Sequence, residues 1–228
     1  MSDDHGRVWL AAGHDQDAVE ICRTGSPAYA LTPVNSRRFY SGDRAGDVTL
    51  WEVRGTDALR LRVVDKHEGP VFGVDLLGGE CVSVGATGEL RTPSGITVVA
   101  SVALFAVCAD DTHRLTVVGD ASGHLHVIDR GERQEIPLHT DAIRSLVLDF
   151  PWVVTSSKDG TAKAFNIRTG FTGVLWEGPD YGYEISLSPD RTAVALVHGG
   201  GELVVRRFGK RLADLTDQDL ETLIAAHG

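Results

Sequence analysis

The sequence predicts an all-β protein made of about five, alternatively six, repeated four-stranded sheets, followed by a short C-terminal helix. Three observations carry this. Six segments share a glycine turn followed by alternating apolar positions: GRVWL at Gly6, GDVTLW at Gly46, GELRT at Gly88, GHLHVI at Gly123, GTAKAF at Gly160 and GELVVR at Gly201. The glycines recur at intervals of 40, 42, 35, 37 and 41 residues. The last 18 residues, RLADLTDQDLETLIAAHG, drop this pattern for a helical one.

Each segment reads as a strand because its second and fourth residues after glycine face one way: Val8 and Leu10, Val48 and Leu50, Leu90 and Thr92, Leu125 and Val127, Ala162 and Ala164, Leu203 and Val205. Period-two alternation is the mark of a strand. Another β-rich run precedes most of these glycines, as in RRFYSGDRAG and WVVTSSKDG. Strand, glycine turn and strand make a hairpin, and glycine supplies the positive φ such turns need. A period near 40 residues with about four strands per repeat is the spacing of propeller blades.

Residues 7–23 read as two strands. Fuller blades are expected over about 28–64, 70–100, 102–137 and 142–176, and a three-stranded one over 182–208. The expected division is thus a propeller over 1–208 and a helical tail over 209–228. In the tail, Thr216 is the expected N-cap, Asp219 stands at capping-box distance, and Leu220, Leu223 and Ile224 form an apolar stripe. The last repeat lacks a fourth strand, and Ala18–Cys22 is expected to supply it; one strand near Val8 to Ala11 is then left over.

Bulk properties exclude several functions. Hydrophobic residues make up 42% of the chain and charged residues 24%, enough for a packed core. The formal net charge is −10, the opposite of the basic surplus that neutralises nucleic-acid phosphates. It also disfavours anionic membranes. The longest apolar run, Ile96 to Ala109, is shorter than the roughly 20 residues a membrane-crossing helix needs. The first residues carry acid where a signal peptide carries base. Cys22, Cys81 and Cys108 form no paired motif and read as reduced thiols of a cytoplasmic protein.

Chemistry-bearing motifs are scarce. The segment Ser156 to Asp159 could pair a serine with a lysine, but it falls on the repeat's turn. Gly199 to Gly201 lacks the lysine and helix of a phosphate loop. His124 and His126 share one strand face, which could begin a zinc site if other ligands converged. The repeat already explains that strand, so no metal, cofactor or catalytic residue is expected.

Two stretches carry a family resemblance. SGDRAGDVTLWEV, Ser41 to Val53, resembles the third-strand signature of WD-repeat proteins, with Trp51-Glu52 where Trp-Asp is usual. LHTDAIRSLVLDFPWVVTSSKDGTAKAFNI, Leu138 to Ile167, resembles a whole repeat of that family. The resemblance implies a structural hydrogen-bonding tetrad of His139, Ser157, Asp159 and the aromatic Phe165, with phenylalanine lacking the usual indole donor. In the second repeat Thr87, not aspartate, precedes Gly88. The resemblance also implies a non-catalytic scaffold for a protein partner. The alternatives are a ligand-binding or enzymatic propeller using its central channel, and a regulatory subunit completed by a partner.

Aligning the first strands PVFGV, AIRSL and GYEIS places Phe72, Arg144 and Tyr183 at one point, with His67 and Tyr181 in the loops just upstream. Aromatics and arginine dominate interface hot spots, so these five residues are the candidate protein-binding set. The competing assignment packs Phe72 and Tyr183 between blades and pairs Arg144 with an acid such as Asp141.

Overall fold

The computed structural model describes residues 5–10 and 18–226, leaving aside the side chain of Leu10. The expected alternation of Val8 with Leu10 and the expected strand end at Ala11 therefore lie outside the described residues. The chain divides into two compact units, 1–104 and 105–228.

In the first unit, β1 (Arg7–Leu10) and β2 (Val19–Arg23) form an antiparallel hairpin. Two four-stranded meanders follow: β3 (Ala28–Asn35), β4 (Arg38–Asp43), β5 (Asp47–Arg54) and β6 (Asp57–Lys66), then β7 (Val71–Leu77), β8 (Glu80–Gly85), β9 (Glu89–Thr92) and β10 (Gly95–Val98). The core of this unit joins successive sheets. Tyr40, Val48 and Leu50 of one pack with Val71 and Val74 of the next. Gly42 makes that approach possible, since a Cβ there would lie 2.5 Å from Val71 Cγ1.

The second unit repeats the plan. Its sheets are β11 (Leu104–Asp110), β12 (Leu115–Asp120), β13 (His124–Asp129) and β14 (Glu132–Pro137), then β15 (Ile143–Asp149), β16 (Trp152–Ser157), β17 (Thr161–Asn166) and β18 (Thr172–Glu177). A three-stranded sheet follows: β19 (Gly182–Leu187), β20 (Ala193–His198) and β21 (Leu203–Arg207). The apolar run Ile96 to Ala109 is split between β10 and β11, and no helix among the described residues is long and apolar enough to cross a membrane.

Five successive blade sheets and one short helix make this the fold of a five-bladed β-propeller. Four of the five have four strands among the described residues. The expectation that Ala18–Cys22 completes the last sheet is corrected. Among the described residues β2 pairs with β1, and β21 pairs only with β20.

The turn glycines do more than bend the chain. Gly46 has φ +92°, and a Cβ there would sit 2.4 Å from the carbonyl oxygen of His67. The returning chain donates its His67 N–H to Gly46 O at 2.9 Å, so the outermost strand ends against the turn.

The tail forms as expected and then packs further in. Thr216 caps α1 (Asp217–Ala225): its side chain accepts from Asp219 N–H at 3.2 Å, and Asp219 accepts from Thr216 N–H at 2.8 Å. Leu212, Leu215 and Leu220 are buried in one cluster with Trp152, Val154, Ala164 and Ile185. The tail is therefore part of the second unit's core. Burying a leucine side chain is worth about 1.5–3 kcal/mol, which explains why this segment docks.

Candidate functional site

The position picked out in the sequence has a structural peculiarity. The ladder of β3 on β4 runs Ala28 to Asp43 and then Ala30 to Gly42, skipping Tyr29. β7 on β8 skips Phe72 in the same way. β15 on β16 skips Arg144, and β19 on β20 skips Tyr183. Each is the extra residue of a β-bulge, which leaves the ladder and re-aims its side chain. The corresponding second residue of β11 is Phe105. Sequence alignment found three of these positions and missed Tyr29 and Phe105, although both follow the first residue of their strand in the same way.

In the first unit, Tyr29 and Phe72 stack with ring centroids 5.8 Å apart and planes 21° from parallel. In the second unit, the Arg144 guanidinium lies over the Phe105 ring, 4.5 Å from its centroid. That contact takes the place of the expected pairing with Asp141, whose carboxylate accepts from the Ala142 N–H. Tyr181 and Tyr183 sit with ring centroids 4.9 Å apart and are 42% and 47% exposed. The neighbouring Tyr183 hydroxyl raises the Tyr181 pKa. Next in the chain, Glu184 accepts a hydrogen bond from Ser145 Oγ at 2.8 Å, and partial desolvation of its carboxyl group raises its pKa. The second unit thus presents a half-buried cation stacked on a ring, two exposed tyrosines and the Glu184 carboxyl group next in the chain.

His67 does not belong with these residues. It is only 2% exposed, and its Nε2 meets Ser83 Oγ at 2.8 Å. Burial lowers its pKa. It stabilises the second blade sheet from inside, so the expectation that it lines a binding face is corrected.

The tetrad-like set also needs one correction. His139 lies between Asp159 and Thr155, with Nδ1 3.0 Å from Asp159 Oδ2 and Nε2 2.8 Å from Thr155 Oγ1. Burial depresses the His139 pKa. The ring is therefore assigned as neutral, with Nδ1–H donating to Asp159 and the Thr155 hydroxyl donating to Nε2. Burial opposes ionisation of Asp159, but hydrogen bonds from Thr161, the Thr140 N–H and His139 bring its pKa down to about 2. Ser157 is not the hydroxyl partner. Its Oγ donates to Asp141 O at 2.8 Å and accepts from Asp159 N–H at 3.1 Å, which fixes the turn.

The hydroxyl position lies five residues before the turn glycine. Ser41, Ser83 and Thr155 occupy it in three sheets. In the first, the Trp51 indole donates to Ser41 Oγ at 2.9 Å. Phe165, at the position of Trp51, is buried in the apolar cluster of the second unit and carries no such donor. In the second sheet Thr87 replaces the aspartate, and His67 Nδ1 is buried without a hydrogen-bond partner.

The remaining chemistry-bearing residues are absorbed by the fold. His126 is 1% exposed and its Nε2 lies 2.9 Å from Asp120 Oδ2; His124 lies 3.6 Å from the same carboxylate. Asp120 also accepts the N–H groups of Ser122 and His124. Among the described residues no three His, Cys, Asp or Glu side chains gather as a metal site. Burial pushes the Cys22 thiol up to about 11 and the Cys81 thiol up to about 12, so both are protonated near neutral pH.

No family model matches this chain, and no curated protein is similar to it. Among solved structures it is similar to the computationally designed Ika8 protein, with a TM-score of 0.67 and 21% sequence identity. The similarity covers 84% of this chain and 62% of the designed one, so the chain spans less than two thirds of that protein's length. At this identity the likeness is one of fold.

Proposed function

We propose that this chain is a WD-repeat-type, non-catalytic binding platform of the cytoplasm that holds a protein partner through its bulged innermost-strand residues. The observation that carries this reading is the bulge itself. It recurs at Tyr29, Phe72, Arg144 and Tyr183, and each time releases an aromatic or arginine side chain from the ladder. Rigid sheets that display variable side chains suit recognition, and these residue types dominate hot spots. Phe105, Arg144, Tyr181 and Tyr183 form the contact set of the second unit, and Tyr29 and Phe72 offer the same chemistry in the first.

The test is affinity capture with quantitative mass spectrometry, comparing wild type with Arg144→Ala and Tyr183→Ala. A hot-spot residue contributes about 2 kcal/mol or more, so each variant should weaken capture of the same protein roughly 30-fold. Melting temperatures should stay close to wild type, because neither side chain belongs to a core cluster. Unchanged capture by both variants would remove the reading.

A further inference from the structure

Among the described residues the last blade sheet ends at its third strand, whose outer edge is open. β6 carries Arg60, Arg62, Asp65 and Lys66 and shifts register twice against β5. β10 has only four residues. β14 carries Glu132, Arg133 and Glu135 and ends in Pro137. β18 is backed by α1, with Ile224 and Leu220 against Gly173. Charge, short length, irregular register and a covering helix are the usual ways of blunting an edge. β21 carries Arg206 and Arg207 at its end, but its register with β20 is unbroken, no helix covers it among the described residues, and Leu203 and Val205 are 63% and 44% exposed.

The two ends of the ladder tell which backbone groups face outward. His198 N–H donates to Glu202 O at 3.4 Å, and Phe208 N–H donates to Thr192 O at 2.8 Å. Residues alternate between bonded and non-bonded pairs in an antiparallel ladder. Glu202, Val204, Arg206 and Phe208 therefore turn their backbone groups toward β20. Leu203, Val205 and Arg207 turn theirs toward the open edge.

We propose that this edge pairs antiparallel with β21 of a second copy of the chain, about a two-fold axis through Val204. Two strands related by such an axis show the same face, so the axis passes through a residue. An axis through Val205 would set Glu202 opposite Phe208 and Arg206 opposite Val204, placing charge against apolar side chains. An axis through Val204 sets Glu202 opposite Arg206 and Leu203 opposite Val205, twice over. Leu203 and Val205 then exchange their outward N–H and C=O groups across the pair. The Glu202 side chain is 81% exposed, with His198 Nε2 at 3.6 Å. The Arg206 Nε is held by Leu175 O at 3.1 Å, which leaves the two terminal amines for a carboxylate. Opposite charges facing each other across strands stabilise a pair and like charges destabilise it. This pairing is independent of the bulged-residue site.

The experiment is sedimentation equilibrium on the full chain, with circular dichroism and melting curves as controls of folding. Wild type is expected to reach twice the monomer mass as concentration rises. Val205→Pro removes an outward N–H while sparing the ladder to β20, and should weaken the dimer at least about ten-fold. Glu202→Arg and Arg206→Glu should each be monomeric alone, since each sets like charges face to face. Mixed in equal amounts they should recover the dimer mass, because every facing pair is then opposite in sign. A wild type that stays monomeric at the highest concentration reached would overturn the proposal. So would a dimer that survives Val205→Pro and Glu202→Arg, or folded single variants that fail to associate on mixing.

Discussion

The Trp152 indole N–H donates to the Leu215 carbonyl at 3.0 Å, across 63 residues of chain. Trp152 and Leu220 are fully buried in the same cluster. The C-terminal segment is thereby part of the fold's stability. Leu220→Ala should cost about 2–5 kcal/mol from lost burial and the cavity left behind. Trp152→Phe should cost about 2 kcal/mol, because it leaves the Leu215 carbonyl unpaired and removes part of the ring. Urea denaturation checks both; a tail that merely hung from the fold would leave the midpoint unchanged.

Thr87→Asp should stabilise the protein. His67 Nδ1 is buried and unpaired, and aspartate at the equivalent place in the fourth blade sheet reaches its histidine at 3.0 Å. Giving His67 such a partner should add about 1 kcal/mol. The added carboxylate should also raise the His67 pKa toward its ordinary value, which an NMR titration of the ring would read.

Acid should destabilise the chain in two stages. His67 and His139 are both held below 6.5 by burial, so the unfolded chain takes up protons first. Their contribution is present above 6.5 and is lost as pH falls from there through the folded values. Asp159 sits at about 2 against an ordinary 3.8, so its contribution is present above 3.8 and fades as pH drops toward 2. Urea midpoints from neutral pH to pH 2 would show both losses. His139→Gln should reduce the first one.

Gly46→Ala and Gly131→Ala should differ sharply although the two glycines share nearly the same φ, +92° and +93°. At Gly131 nothing lies within 4 Å of an added Cβ, so only the backbone penalty of about 1–2 kcal/mol applies. At Gly46 the Cβ would collide with the His67 carbonyl, and the loss should exceed that by roughly 2 kcal/mol or more. Thermal melts of the two variants side by side decide it.

The blade pattern was legible because each sheet is a local meander, its strands joined by short turns and marked by alternation and a glycine. Element bounds such as 28–64 against Ala28–Lys66 follow from that locality. What failed was non-local. Nothing near Ala18–Cys22 says which edge it joins, and it pairs with β1. Ser157 was named where Thr155 holds the histidine, because residues two apart share a strand face. Only the count back from the glycine, matched at Ser41 and Ser83, separates them. His67 was misread as a surface residue because its burial depends on Ser83, in a strand paired only after the chain turns back. The bulges left no mark in composition, since an inserted residue looks like any other until its partner strand is laid beside it.

Because the residue at each bulge takes no part in the ladder, its identity is decoupled from sheet register. Tyrosine, phenylalanine and arginine already occupy that position over closely similar strands. Substitution there leaves the flanking pairs and the buried alternation intact, so partner choice could diverge between descendants of this chain while the folding code stays the same. For an engineer, Tyr29, Phe72, Arg144 and Tyr183 are sites to randomise in a library of binders without re-solving the core.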